Sequence, residues 1–190
     1  MRTPQDITVD RALLLYLLHL AEPHGWMSDV KFQQLMFLSE LQMLGKGLRG
    51  FHFEFMRYAY GAFSKEVDND LLVLRRKDRI ENFSVTDQAQ PVLDLIEQVE
   101  NGSEAHVEIM EILRAVVTTY GPQDNTQIIQ SVEAVEISPA DSPEQKLAVR
   151  DISFHSILLV PSRIEVTGEW TLSSAQAKAF NAALGLSAVF

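Results

Sequence analysis

Residues 53–86 read FEFMRYAYGAFSKEVDNDLLVLRRKDRIENFSVT, and the reading of this stretch decides the fold. An aromatic-rich segment runs into a Tyr60-Gly61 turn, an amphipathic helix follows, and a short strand closes the unit. Phe63, Val67, Leu71 and Leu74 recur at helical spacing and lay one apolar stripe on that helix. Arg75, Arg76 and Lys77 fall in its last turn, where cations suit the negative end of the helix dipole. Ile80 to Thr86 alternates apolar and polar residues, the pattern of a half-buried strand. Two helices and then a strand ribbon form the ground plan of a winged helix. The expected class is mainly α within α+β, a winged-helix-like helical core with a short β-ribbon, followed by a C-terminal helix/strand extension.

Working outward, Met1 to Ile7 has few apolar residues and is expected to be loose. A first helix should start near Thr8 or Asp10, bury Val9, Ala12, Leu13, Tyr16, Leu17 and Leu20, and stop before Pro23-His24-Gly25. Ser28 is the N-cap expected of a second helix ending near Leu44, whose apolar residues cover more than one face and predict the deepest burial. Phe51, Phe53 and Phe55 alternate in a segment expected to be extended as far as Tyr58. Beyond the central unit the periodicity predicts helices from about Asp87 to Asn101, over Ala105–Tyr120 and over Thr126–Val135.

Ser142-Pro143-Glu144-Gln145 has the pattern of a short helix start. Phe154–Val160 and Arg163–Thr167 read as two short strands. Ser173 to Gln176 is a capping box opening a last helix that Gly185 ends. The Ser-Pro-rich run at 138–143 is the best linker, which divides the chain into a winged-helix-like domain over 1–138 and an extension over 139–190 packed on it.

Composition is that of a globular chain, with 46% apolar and 22% charged residues over 190 positions. No apolar run reaches the length of a membrane span and no leader pattern is visible, so a cytoplasmic protein is expected. The absence of cysteine excludes disulfides, thiolate catalysis and cysteine-based zinc sites. Residues 1–80 hold 11 Lys/Arg against 10 Asp/Glu and residues 81–190 hold 5 against 16, so the net charge of −10 sits in the second half. Such a balance opposes nucleic acid and steers toward basic partners, with solubility as the simpler role for the acidic half.

Catalytic signatures are sparse. The histidines, at 19, 24, 52, 106 and 155, show no helical zinc spacing, and no metal or cofactor is expected. Glu66, Asp68 and Asp70 read as a solvated acidic face, and Gly45–Gly50 as a turn rather than a phosphate loop. No nucleophile elbow or dinucleotide fingerprint occurs, so the expectation is a protein that is not an enzyme. On the central helix Lys65, Asn69, Arg75 and Arg76 are the candidates for contacting DNA. Over 54–81, however, six basic residues face six acidic ones, which leaves little drive to neutralise phosphate.

The stretch KFQQLMFLSEL, Lys31 to Leu41, resembles a helix of the Panacea family, the SocA-like antitoxin domain, with its Lys-Leu-Gln-Lys-Leu-Leu-Tyr-Leu pattern. Lys31, Phe32, Gln33, Leu35, Phe37 and Leu38 match it in type. Residues 60–81 resemble that family's Tyr-Gly-Pro segment with the helix after it, and FSVTDQA at 83–89 its Leu-Thr-x-x-Gly segment. They also resemble a related group of small uncharacterised prokaryotic proteins, to whose later helix pair residues 111–136 are similar. Ala62 stands where the family has Pro and Ala89 where it has Gly, and the resemblance spans about Ser28 to Val135.

The resemblance implies an antitoxin-like interaction module, without an active site, that neutralises a partner protein such as a toxin or presents it to a protease. Aromatic residues and arginine anchor such interfaces, which selects Arg57, Tyr58, Tyr60 and Phe63 as the partner-binding candidates. Core packing is the competing role for the aromatics. A winged-helix DNA-binding regulator using Lys65, Asn69, Arg75 and Arg76 is the alternative.

Overall fold

The computed structural model describes residues 1–186. Helix α1 (Pro4–Ala21) and helix α2 (Asp29–Gly45) lead into strands β1 (Leu48–Arg49), β2 (Phe55–Tyr58) and β3 (Gly61–Phe63). Helix α3 (Lys65–Arg76) is followed by a hairpin of β4 (Ile80–Glu81) and β5 (Ser84–Val85), then by α4 (Gln90–Val99), α5 (Glu104–Tyr120) and α6 (Asn125–Glu133). Strands β6 (Glu136–Ile137), β7 (Leu147–Ala148), β8 (Ile157–Leu159) and β9 (Gly168–Glu169) precede the last helix, α7 (Ser174–Leu184). Helix occupies 57% of the described residues and strand 12%, which places the protein in the mainly helical α+β class.

The core is built around α1 and α2. Every residue from Ala12 to Leu18 is buried, so α1 is apolar all round and sits inside, against α4, α5 and α7. It shares the deepest position with α2, which packs on α5, α6 and β3. The N-terminus is not loose. Thr3 caps α1 in a reciprocal box with Asp6, and Pro4 occupies the first turn, where a missing N–H costs nothing.

The central unit differs from expectation in two places. Phe63 closes β3 and Ser64 caps α3, so the helix starts at Lys65 rather than carrying Phe63 on its stripe. The single strand expected over Ile80–Thr86 is a hairpin, turned at Asn82, whose φ of 54° is tolerable for asparagine. Val67, Leu71 and Leu74 are buried as the periodicity requires.

The last third completes sheets begun near residue 50. Strand β8 pairs antiparallel with β2, giving the order β3-β2-β8, and β9 pairs parallel with β1. Helix α7 packs on α1 and α4, and Leu158, Trp170, Phe180 and Leu184 join the common core. Paired strands and shared core thus connect the two sides of the linker at 138–143.

The helix expected from Ser142 is absent: 138–146 is a turn-rich connection inside the β6–β7 hairpin, held by Ser142 N–H to Pro139 O and Gln145 N–H to Ser142 O. Its capping letters are present, but the apolar residues that follow, Leu147, Ala148 and Val149, are taken up by pairing of β7 with β6 and by the turn after it. The strand expected over Phe154–Val160 shrinks to β8. Arg163–Thr167 forms no ladder, because a tight turn at Pro161–Arg163 intervenes and pairing resumes only at Gly168.

Candidate functional site

The first turn of α2, the β2–β3 hairpin and the first turn of α3 enclose a groove of about 260 Å³. Its apolar wall is Tyr58, Tyr60, Phe63, Val30 and Ala62, and its polar lining is Asp29, Gln33, Gln34 and Asp68. Tyr58 and Phe63 pack ring on ring at 5.1 Å, and the His155 ring meets Tyr58 edge-on at 5.8 Å. Tyr60 is 60% exposed and Tyr58 43%, so both rings reach solvent at the groove.

Two adjacent glutamines fix the groove's geometry. The Gln34 carboxamide accepts from Ala62 N–H at 3.0 Å and donates to Ala62 O at 3.0 Å and to Val30 O at 3.1 Å. Gln33 accepts from Ser64 N–H at 2.8 Å and donates to Ser64 O at 3.0 Å and to Asp68 Oδ1 at 3.1 Å. Gly61 permits this approach. Its φ is +92°, and a Cβ there would lie 2.4 Å from Gln34 Oε1. Lys31, in the same motif, is buried and donates to Gly121 O at 2.6 Å, near the C-terminal end of α5; burial pulls its pKa down. The motif that carried the family resemblance therefore holds backbone in place.

The four partner-binding candidates separate. Tyr58, Tyr60 and Phe63 converge on the groove, whereas Arg57 is buried at 4% exposure and offers no surface anchor. Its guanidinium donates to Val149 O at 2.9 Å, to Gly61 O at 3.2 Å and to Tyr58 O, reaches Glu133 at 3.5 Å and lies over the Phe154 ring. Alternation along β2 explains this, since Arg57 shares a face with the buried Phe55.

The DNA-contact candidates separate as well. Lys65, Asn69 and Arg76 are exposed along one face of α3, with Leu72 between them. Arg75 instead donates to Asn82 O at 3.0 Å and covers the Phe83 ring, so it fastens the β4–β5 hairpin.

The acidic face expected on α3 is only partly solvated. Asp70 is buried and accepts from Arg2 Nη1 at 2.7 Å and from Arg11 Nε at 3.0 Å, while Glu66 pairs with Arg2 Nε at 2.8 Å. Arg2 also reaches Asp10 Oδ2 at 3.1 Å, and His52 Nδ1 lies 2.8 Å from Asp10 Oδ1. Burial pushes the Asp10 carboxyl up against the pull of His52 and Arg2. Burial lowers the His52 pKa, yet its bond to Asp10 and the charges of Asp10 and Asp6 leave it raised overall.

Glu40 lies beneath this network, fully buried. Its Oε1 accepts from Phe53 N–H at 2.8 Å, and its Oε2 has no partner among the described residues. Burial, aided by the Asp10 charge, raises its pKa well above the ordinary value. A carboxyl raised by folding keeps its proton in the native state while the unfolded chain has lost it. It therefore subtracts stability as pH climbs from the ordinary carboxylate value toward the folded one. Glu40→Gln removes this loss: its stability advantage over wild type should grow as pH rises from the ordinary carboxylate range toward neutrality. Urea midpoints of both proteins at several pH values measure it, and a pH-independent difference would show that Glu40 does not titrate differently on folding.

Asp68 stands at the groove's rim. Partial burial and the nearby Asp29 charge lift its carboxyl above the ordinary value, against the Gln33 bond and Arg75. Among the described residues no group of acidic, histidine or cysteine side chains is arranged to hold a metal ion, and no helix is long and apolar enough to cross a membrane. Sequence reasoning had not placed Gln33, Gln34, Asp29 or Asp68 at the site. The available signal was two neighbouring glutamines inside an otherwise apolar helix segment. No protein-family model matches the chain, and neither a curated protein nor a solved structure matches it.

Proposed function

We propose that this protein is an interaction module of the antitoxin-like kind, without catalysis of its own, that grips a partner protein such as a toxin or hands it to a protease. The observation that carries the reading is the convergence of Tyr58, Tyr60 and Phe63 on one exposed groove with a rigidly bonded wall. Aromatic side chains held in place present large contact area at low entropic cost, as interface anchors do. The DNA-regulator reading has weaker support: the exposed stripe of α3 carries two cations, Lys65 and Arg76, and the chain a net charge of −10.

The test is affinity capture from the native host with nuclease present, comparing wild type with the Tyr58→Ala/Tyr60→Ala double variant. Tyr60 is 60% exposed and Tyr58 43%, so the variant should stay folded with a modest fall in unfolding midpoint from the lost Tyr58–Phe63 packing, while losing a stoichiometric protein partner by about tenfold or more. Equal capture by the two proteins would remove the groove from the interaction. Recovery of DNA lost at high salt when nuclease is omitted would move the regulator reading into first place.

A further inference from the structure

We infer that the groove receives the side chain of a lysine or arginine of the partner protein. This inference rests on the interaction-module reading and specifies what the groove recognises. At about 260 Å³ the groove lies below the roughly 300–1,000 Å³ of ordinary ligand pockets, a size for a side chain rather than a folded element.

Its chemistry is that of a cation site. The rings of Tyr58, Tyr60 and Phe63 line the groove as aromatic partners for a cation, and Val30 and Ala62 offer apolar surface to a methylene stem. Asp29 and Asp68 add two carboxylates, and no lysine or arginine lines the groove. Neither aspartate is ion-paired among the described residues, although Arg2, Arg11, Arg49, Arg57 and Arg114 all pair elsewhere. The Asp68 pKa is raised first by partial burial and then by the Asp29 charge, and a cation in the groove would offset both. The amides of Gln33 and Gln34 are occupied by backbone and by Asp68, so they do not compete for the guest. The excess negative charge of the whole chain favours approach of a basic segment.

The experiment titrates the full chain with acetyl-Gly-Ser-Leu-Lys-Leu-Ser-Gly amide, its arginine counterpart and its norleucine counterpart. Heat and amide-resonance shifts are followed together. The two cationic peptides should bind at least about tenfold tighter than the norleucine peptide. Their resonance shifts should centre on Tyr58, Tyr60 and Phe63, and their affinity should fall with added salt. An Asp29→Asn/Asp68→Asn variant should reduce them to the norleucine level while keeping the folded resonance pattern, with a small fall in unfolding midpoint from the two lost first-turn charges.

Norleucine binding as tight as lysine binding would overturn the inference, leaving an apolar docking groove and the interaction-module reading intact. An affinity untouched by the double asparagine change would overturn it too, as would a lysine peptide that does not bind saturably. The interaction-module reading itself is judged separately, by partner capture in the Tyr58/Tyr60 variant.

Discussion

Arg57→Ala should destabilise the protein by about 3–5 kcal/mol, because a buried guanidinium bonded to several carbonyls is removed at once. Val149 O, Gly61 O and Tyr58 O would lose a charged donor in a site that water does not readily reach, and each such bond is worth roughly 1.5–3 kcal/mol. The contacts span chain regions far apart in sequence, from the β2–β3 hairpin to the turn at Val149 and the end of α6. Arg57→Lys should recover little, since one ammonium cannot serve carbonyls that diverge around a planar fork. Urea unfolding of the three proteins measures this. A loss below about 1 kcal/mol for the alanine variant would mean the carbonyls find other partners.

Asp70→Ala should cost a similar amount, about 3–5 kcal/mol, for a different reason. It leaves the guanidinium groups of Arg2 and Arg11 mostly buried without the carboxylate that both address. The expected signature is non-additivity: Arg11→Met on the Asp70→Ala background should cost less than on wild type, by about 1 kcal/mol or more. Additive costs would indicate that Arg11 contributes through packing alone. Because Asp70 fastens α3 to the N-terminus of α1, its loss should also loosen the helix that carries Asp68 to the groove.

Helices were legible in the sequence where capping letters and an apolar stripe coincided, and misread where only one was weighed. Thr3-Pro4-Gln5-Asp6 and Ser142-Pro143-Glu144-Gln145 carry nearly the same start code. Only the first opens a helix: Val9 and Ala12 to Leu18 are buried along α1, whereas Ala148, Val149 and Ile152, which follow the second, are buried through β7 and the tight turn after it. Local chemistry proposes a start, and the tertiary pairing of the residues that follow decides whether it is used.

The same lesson holds for the site. The period-2 alternation that put Phe53 and Phe55 on one side, carried one step further, puts Arg57 on the inner face. The stripe of Val67, Leu71 and Leu74 also takes in Asp70, three residues after one member and four before another. Both side chains were read by their charge rather than by their phase. Tyr58 and Tyr60 have the exposure a surface anchor needs. The carboxamide wall of the groove was not legible, because Gln33 and Gln34 act on a strand some thirty positions further along the chain.

Those glutamines have a consequence for how copies of this protein meet one another. In the order β3-β2-β8, strand β3 is at the margin, and its Ala62 N–H and C=O point away from β2. An open margin of this kind templates the addition of a foreign strand, with aggregation as its usual cost. Gln34 presents one acceptor and one donor to Ala62, as the backbone of a neighbouring strand would. The sheet therefore ends on a surrogate strand made of a side chain, and main-chain pairing at Ala62 is already complete within the monomer.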